Sequence, residues 1–169
     1  MAFLFFISFL LLFRLSELLY SSRNEKWLLK NGAVEYGQNH YPYMVAMHVC
    51  FFISLITEYS ISNINFYSGI LMALYFILVI IKVNVIMSLG HFWNIKIYRI
   101  AHLPLMKKGL YKYISHPNYI IVATEIALIP LIFHLYITAV LFTILNAAML
   151  YVRIKEENKA LLINSQRTQ

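Results

Sequence analysis

Five long apolar segments constrain the fold of this chain more than any other feature. They cover residues 2–20, 43–56, 66–87, 118–133 and 135–151. A helix needs about 20 residues to cross the hydrocarbon core of a bilayer, and the second, fourth and fifth segments are shorter than that. Tyr and Trp residues flank them, and such residues complete a crossing at the membrane interface. The sequence therefore predicts an all-α integral membrane bundle with about five transmembrane helices.

The composition also indicates the bilayer as solvent. Of the 169 residues, 61% are hydrophobic and only 12% are charged, which is too apolar for a soluble domain of this size. We expect a single membrane domain over residues 1–169. A net charge of +7 would suggest a nucleic-acid ligand in a soluble protein, but in a membrane protein it reflects basic loops beside anionic lipid. No motif indicates nucleic-acid binding. The first apolar segment lacks a preceding basic residue and a small-residue cleavage site, so we interpret it as a retained helix.

Basic residues predict the orientation of the bundle. Residues 21–42, 88–117 and the tail after the last apolar segment hold twelve Lys and Arg residues, and the two loops between them hold none. The positive-inside rule then places the amino terminus outside and the carboxyl terminus in the cytoplasm. A site built from residues 88–117 and the tail would face the cytoplasm at the cell membrane. The twelve are Arg23, Lys26, Lys30, Lys96, Arg99, Lys107, Lys108, Lys112, Arg153, Lys155, Lys159 and Arg167.

Four charged residues fall inside the apolar segments. Arg14 lies deep in the first one, and Glu17, three residues on, is its expected partner on nearly the same helix face. We expect this pair to face the bundle interior with an architectural role. Lys82 lies near the cytoplasmic end of the third segment and is expected to snorkel to the interface. Glu125 must be buried in protein or protonated, so it either pairs with Arg14 or faces a cavity.

The four residues His116-Pro117-Asn118-Tyr119 form the first candidate site. Proline biases the preceding residues away from the helical region and suits the first turn of a new helix. We therefore expect His116 at a helix entrance at the membrane face, where backbone N–H groups are free. A capping histidine without any ligand explains these four residues equally well.

The last apolar segment carries the second candidate site. Asn146, Arg153 and Glu157 are spaced by seven and four residues, which places them within about 40° on one helix face. An ordinary ion pair on a juxtamembrane helix is the alternative. Trp93 and Tyr111 lie in the aromatic and basic segment between the third and fourth apolar segments. An aromatic belt explains them, and so does stacking on a flat, cationic cofactor.

Together these motifs resemble the isoprenylcysteine carboxyl methyltransferase family, whose members are related to the phospholipid methyltransferases. The likeness is carried by Gly109-x-Tyr111, by His116-Pro117-x-Tyr119, and by Arg153-Ile154 followed by Glu156-Glu157 and Leu161. It covers residues 88–162, which would form the cofactor-binding core. The resemblance implies a helical membrane enzyme that binds S-adenosyl-L-methionine at the cytoplasmic face. A lipophilic acceptor would arrive from the bilayer.

The resemblance also implies roles for individual residues. Cofactor binding is expected of His116, Pro117, Asn118, Tyr119, Trp93, Tyr111, Glu156 and Glu157. Catalytic roles are expected of Arg153 and Glu157, with Arg153 either pairing with Glu157 or holding an anionic acceptor oxygen. No metal site is expected.

The acceptor implied is a hydroxyl or carboxylate oxygen of an alkylpyrone, a phenolic lipid or a prenylated cysteine. Ser115 stands where the family usually has Arg, and Ile120 where Gly often follows the Tyr. Both departures bear on the acceptor more than on the cofactor. The alternatives are a non-catalytic helical membrane assembly or lipid carrier, and a haem or quinone redox protein.

Overall fold

Five α-helices form the bundle in the computed structural model, which describes residues 1–62, 64, 66–100, 103 and 108–166 and, of these, the side chains up to residue 161. They are α1 (Ala2–Lys30), α2 (Tyr41–Ser62), α3 (Gly69–Leu89), α4 (Pro117–Ile132) and α5 (Tyr136–Gln166). All of these helices except α4 contain an apolar stretch long enough to cross a membrane, and α4 has 16 residues. The predicted all-α membrane bundle is confirmed. Lys107 and Arg167, two of the basic residues counted above, lie outside the described residues.

A small sheet joins two loops of the bundle. Strand β1 (Ala33–Tyr36) pairs antiparallel with β2 (Ile97–Ile100), so that Ala33 lies opposite Ile100. The sequence analysis did not predict these strands, because four residues carry too little alternation to indicate a strand and their partners lie more than sixty residues apart. Short helical turns flank the sheet at Gln38–His40, Gly90–Phe92 and Gly109–Lys112.

The loops lie at two opposite ends of the bundle. At the far end, α4 turns into α5 at residues 133–135, where His134 has a φ of 57°. Glu58 accepts hydrogen bonds there from the amides of Ile137 and Thr138, at 3.1 and 2.7 Å, and so caps α5. The sheet, the start of α4 and the carboxyl-terminal part of α5 lie together at the opposite end, which we call the site end.

Charged side chains of three helices form a closed ring in the bundle interior, which we call the charge quartet. Arg14 contacts Glu17 at 2.8 Å and Glu125 at 2.7 Å, as the sequence analysis expected of both acids. Lys82 contacts Glu17 at 2.6 Å and Glu125 at 2.9 Å. A lone Arg or Lys at this depth would cost on the order of 2.5–3.5 kcal/mol, and pairing with the two carboxylates offsets that cost.

The expectation that Lys82 snorkels to the interface is wrong. The Lys82 side chain is 1% exposed and points into the bundle, because it contacts two carboxylates from other helices there. Snorkelling is favourable only when the interior offers no counter-charge. Glu17 and Glu125 come from α1 and α4, so this choice depends on packing that the third apolar segment alone does not contain.

Hydrogen bonds tie α1 to the connector that leaves α3. The Asn24 side-chain amide donates to the Gly90 carbonyl at 3.1 Å and to the Trp93 carbonyl at 2.7 Å. One turn earlier, the Ser21 hydroxyl donates to Asn94 Oδ1 at 3.0 Å. The connector carries Trp93 and leads into β2, so α1 sets the position of both at the site end.

Candidate functional site

His116 lies at the entrance of α4, as predicted, and occupies the N-cap position of that helix. Its backbone has φ −132° and ψ 60°, and the buried Pro117 occupies the first turn. Within the described residues the imidazole makes no capping hydrogen bond. Instead its ring stacks parallel on Tyr119, with 5.0 Å between centroids and 3° between planes. The imidazole therefore packs on the first turn of its own helix, α4.

The Tyr119 hydroxyl is the centre of the site. It donates to Glu157 Oε2 at 2.5 Å and accepts from Arg153 Nε at 2.9 Å. His116 Nδ1 lies 3.5 Å from the same carboxylate oxygen. The structure thus brings together both candidate motifs, from α4 and α5, as the sequence analysis expected.

The ion-pair partner of Glu157 is Arg99, which the sequence analysis did not single out. Arg99 Nη2, on β2, lies 2.6 Å from Glu157 Oε1. The expected direct pair between Arg153 and Glu157 is not made, because the Tyr119 hydroxyl lies between them. Nothing in the sequence distinguishes Arg99 from the other basic residues of its loop, since only the pairing of β1 with β2 directs it towards α5. We call Arg99, His116, Tyr119, Arg153 and Glu157 the acid–base cluster.

Arg153 is buried, and each of its three guanidinium nitrogens donates a hydrogen bond to a protein atom. Besides Tyr119, Nη1 donates to Met44 Sδ at 3.1 Å and Nη2 donates to the Ile95 carbonyl. The residue is 9% exposed, and Asn146, on the same helix face, is 3% exposed. In this geometry Arg153 positions Tyr119 and joins α5 to α2 and to the connector.

Tyr111 and Trp93 flank the acid–base cluster. Burial, with a further contribution from the negative charge of Glu157, raises the pKa of the Tyr111 hydroxyl to about 12. Trp93 is almost fully buried, and its indole packs at 5.9 Å from the Tyr20 ring. Both residues lie at the site end.

Several buried polar atoms at the site end have no hydrogen-bond partner among the described residues. They are Trp93 Nε1, Arg99 Nε, Asn118 Oδ1 and His40 Nδ1. Buried polar groups in folded proteins are nearly always paired with protein, water or ligand. Two are donors and one is an acceptor, while the imidazole nitrogen serves as either, so together they suit a ligand that carries both donors and acceptors.

Glu156 lies apart from the acid–base cluster. Successive helix residues point about 100° apart, so Glu156 faces an open cleft between α5 and the loop after β1 while Glu157 faces Tyr119. The cleft has a volume of about 740 Å³, and its lining includes Glu35, Gly37, His40 and Glu156. Gly37 has φ 65°, and a Cβ there would lie 2.6 Å from His40 Cε1 and 3.2 Å from Glu156 Cβ. A side chain at this position would therefore disrupt the cleft wall.

Comparison with known proteins identifies the family. Residues 70–163 match the model of the isoprenylcysteine carboxyl methyltransferase family. The chain belongs to this family. The match covers α3, α4 and most of α5, and with them every residue of the acid–base cluster, while α1 and α2 lie outside it. The resemblance drawn from the sequence motifs is confirmed, and membership of the isoprenylcysteine carboxyl methyltransferase family indicates a membrane methyltransferase.

Two bacterial relatives align over nearly the whole chain. An uncharacterized protein of Bacillus subtilis (strain 168), YpbQ, is 42% identical over 158 residues, which are 92% of this chain and 94% of the relative. An uncharacterized protein of Haemophilus influenzae is 30% identical over 155 residues, 90% of each chain. No solved structure matches this chain. The similarity to both relatives therefore includes α1 and α2, which the family model does not cover.

Proposed function

We propose that this family member transfers a methyl group from S-adenosyl-L-methionine to an oxygen atom of a lipophilic acceptor. The observation that carries the proposal is the Tyr119 hydroxyl, which joins Arg153 and Glu157 beside His116 at one end of a membrane bundle. A partly exposed carboxylate, an imidazole and a half-buried phenol at the end of an apolar bundle suit a reaction between a charged, water-soluble cofactor and a membrane-borne acceptor.

The residues present fit the cofactor. S-adenosyl-L-methionine carries an ammonium, a carboxylate, ribose hydroxyls and an adenine ring, so it needs anionic, donor and acceptor partners. Glu157 would accept from the ammonium or the ribose. The unpaired donors Trp93 Nε1 and Arg99 Nε and the unpaired acceptor Asn118 Oδ1 would meet its other polar groups. Tyr111 would contribute an aromatic wall, and Glu156 would contribute a second carboxylate from the neighbouring cleft.

The proposed mechanism relies mainly on positioning and on exclusion of water. When bound, S-adenosyl-L-methionine supplies an electrophilic methyl group on a sulfonium sulfur. Tyr119, fixed by Arg153, holds the Glu157 carboxylate in place. For a neutral hydroxyl acceptor, His116 would take the proton, and Glu157 at 3.5 Å would stabilise the imidazolium that forms. A carboxylate or an acidic enol acceptor would need no such base.

The proposed acceptor is a long-chain lipid that enters from the bilayer. An alkylpyrone or phenolic lipid is favoured over a prenylated cysteine, because Ser115 and Ile120 replace the Arg and Gly that the family usually has around the His-Pro-x-Tyr motif. The basic residues at the site end support a location at the cytoplasmic face of the cell membrane, beside anionic lipid.

Titration calorimetry of the purified chain in detergent tests the cofactor assignment. We expect heat of binding with S-adenosyl-L-methionine, and weaker binding by His116→Ala and Glu157→Gln. His91→Ala, at an exposed imidazole, and Glu58→Gln, at the far end, are the matched controls and should bind as the wild type does. No heat from the wild type would favour a non-catalytic membrane assembly. Unchanged binding by both site variants would contradict the residue assignment.

A further inference from the structure

The charge quartet is not in contact with the acid–base cluster, so the proposed methyl transfer does not use it directly. Arg14 and Glu17 on α1, Lys82 on α3 and Glu125 on α4 alternate in sign around the ring, with contacts of 2.6 to 2.9 Å. Hydrogen bonds to charged groups depend on distance and direction. A shift of one residue along a helix is about 1.5 Å, which would open the ring. The quartet is therefore satisfied in one axial register of the three helices.

Stability alone does not account for these four charges. Replacing a buried ion network with apolar side chains of similar volume is often neutral or stabilising. Apolar side chains are also present at this level, such as the fully buried Ile126 next to Glu125 and the Phe13 ring, whose centroid lies 5.5 Å from Lys82 Nζ. An apolar core would accept several helix registers, whereas the ring of charges accepts one.

The register of α4 decides whether the acid–base cluster closes. Tyr119 precedes Glu125 by six residues on α4, about 9 Å along the helix. Its hydroxyl must reach Glu157 at 2.5 Å and Arg153 at 2.9 Å, both on α5. An axial displacement that moved the hydroxyl about 1 Å away from both partners would bring these contacts to the limit of hydrogen bonding or beyond it.

We propose that the charge quartet is a positioning group for the site. It holds α4 at the height at which the Tyr119 hydroxyl bridges Arg153 and Glu157. The kinetic part of this inference rests on the proposed function, whereas the structural part does not.

The test is a variant in which the whole quartet is apolar. The substitutions are Arg14→Met, Glu17→Leu, Lys82→Met and Glu125→Leu. Thermal unfolding measures stability, and hydrogen–deuterium exchange read by mass spectrometry measures the opening of α4. Neither measurement needs cofactor or acceptor. We expect a Tm equal to that of the wild type or higher, with amides at the start of α4 exchanging about tenfold faster.

A second variant controls for the number of substitutions. It carries Leu12→Met, Leu19→Met, Ile77→Met and Ile80→Met, all on exposed apolar positions of the same two helices, α1 and α3. We expect wild-type exchange and wild-type activity from it. Should the apolar quartet variant fail to fold, Glu17→Leu combined with Lys82→Met removes one charge of each sign and keeps the pair of Arg14 with Glu125. Thermal unfolding and hydrogen–deuterium exchange of this double variant then test the proposal.

A double-mutant cycle tests whether the quartet affects catalysis through the position of Tyr119. We expect the apolar quartet to lower kcat about tenfold with little change in KM for the acceptor, and to cause no further loss in a Tyr119→Phe background. Additive losses, or wild-type exchange in α4 together with wild-type kcat, would overturn the proposal. If the wild type neither binds S-adenosyl-L-methionine nor transfers methyl groups, the proposed function fails, and the exchange measurement still decides whether the quartet positions α4.

Discussion

At the scale of single residues, the Tyr119 hydroxyl joins groups from two helices. Tyr119→Phe keeps the ring that stacks on His116 but removes the link between Arg153 and Glu157. Arg153 Nε and Glu157 Oε2 each lose one hydrogen-bond partner, which costs about 1–3 kcal/mol of unfolding free energy. We expect methyl transfer to fall by up to about a hundredfold, because the carboxylate loses its fixed position. Tyr113→Phe, at a phenol that is 85% exposed, is the control in the same assay.

Arg99 is the residue of the cluster that the sequence analysis missed. Its guanidinium holds one oxygen of Glu157 while Tyr119 holds the other. We expect Arg99→Gln to lower activity about tenfold, which corresponds to about 1.4 kcal/mol, with a smaller effect on thermal stability because the pair is partly exposed. Arg23→Gln, at an exposed arginine of α1, serves for comparison. Equal activities of the two variants would show that Arg99 has no role in the site.

At the scale of elements, α1 controls the connector between α3 and β2. Asn24 is 1% exposed and donates to two carbonyls of that connector. We expect Asn24→Ala to lower the unfolding free energy by about 1–3 kcal/mol and to weaken cofactor binding through displacement of Trp93. Asn84→Ala provides the matched control, since the exposed Asn84 amide donates only to Ile80 of its own helix. A larger loss of stability from Asn84→Ala would contradict the assignment.

The sheet contributes a dependence of stability on alkaline pH. The hydrogen bond to Glu25 raises the pKa of Lys96. Burial, with hydrogen bonds to Glu25 and Glu35, raises the pKa of the Tyr98 hydroxyl. Both groups bind their protons more tightly in the folded state, so their stabilisation is fully present below the unfolded values of about 10 and 10.4. It is lost as the pH rises through the folded values.

Thermal unfolding between pH 7 and pH 11 measures this loss. We expect a Tm that is constant up to about pH 9.5 and falls above it. Tyr98→Phe removes one of the groups that titrate in this range, which also include Lys96 and Tyr111, and should make the fall shallower. A fall of the same steepness in that variant would show that groups other than Tyr98 cause the loss of stability.

At the scale of the whole molecule, the proposed orientation can be tested by labelling single cysteines in intact cells. With Cys50→Ser as background, Ile61→Cys reports the far end and Tyr113→Cys the site end, both at well-exposed positions. We expect a membrane-impermeant maleimide to label Ile61→Cys directly and Tyr113→Cys only after permeabilisation, because the basic loops are retained in the cytoplasm. The reverse pattern would place the site outside the cell.

The sequence by itself determined the number of helices, approximately where each begins, and the two motifs of the site, whereas α1 and α5 extend beyond their apolar segments to Lys30 and Gln166. This follows because a backbone inside lipid has to satisfy its own hydrogen bonds, so each long apolar run has one acceptable structure, the helix. Pro117 likewise determined where α4 begins, since proline biases the preceding residue away from the helical region and suits the first turn of a helix.

The tertiary structure alone decided which charges meet. Lys82 turns inward to two acids from other helices, Arg99 pairs with the Glu157 carboxylate, and the Tyr119 hydroxyl lies between Arg153 and Glu157. Each outcome depends on groups that are distant in the chain and are brought within about 3 Å by packing. Coulomb and hydrogen-bond energies change steeply over such distances in an apolar interior, whereas helix periodicity specifies only the face on which a residue lies. The partner of a buried charge is therefore a property of the assembled bundle.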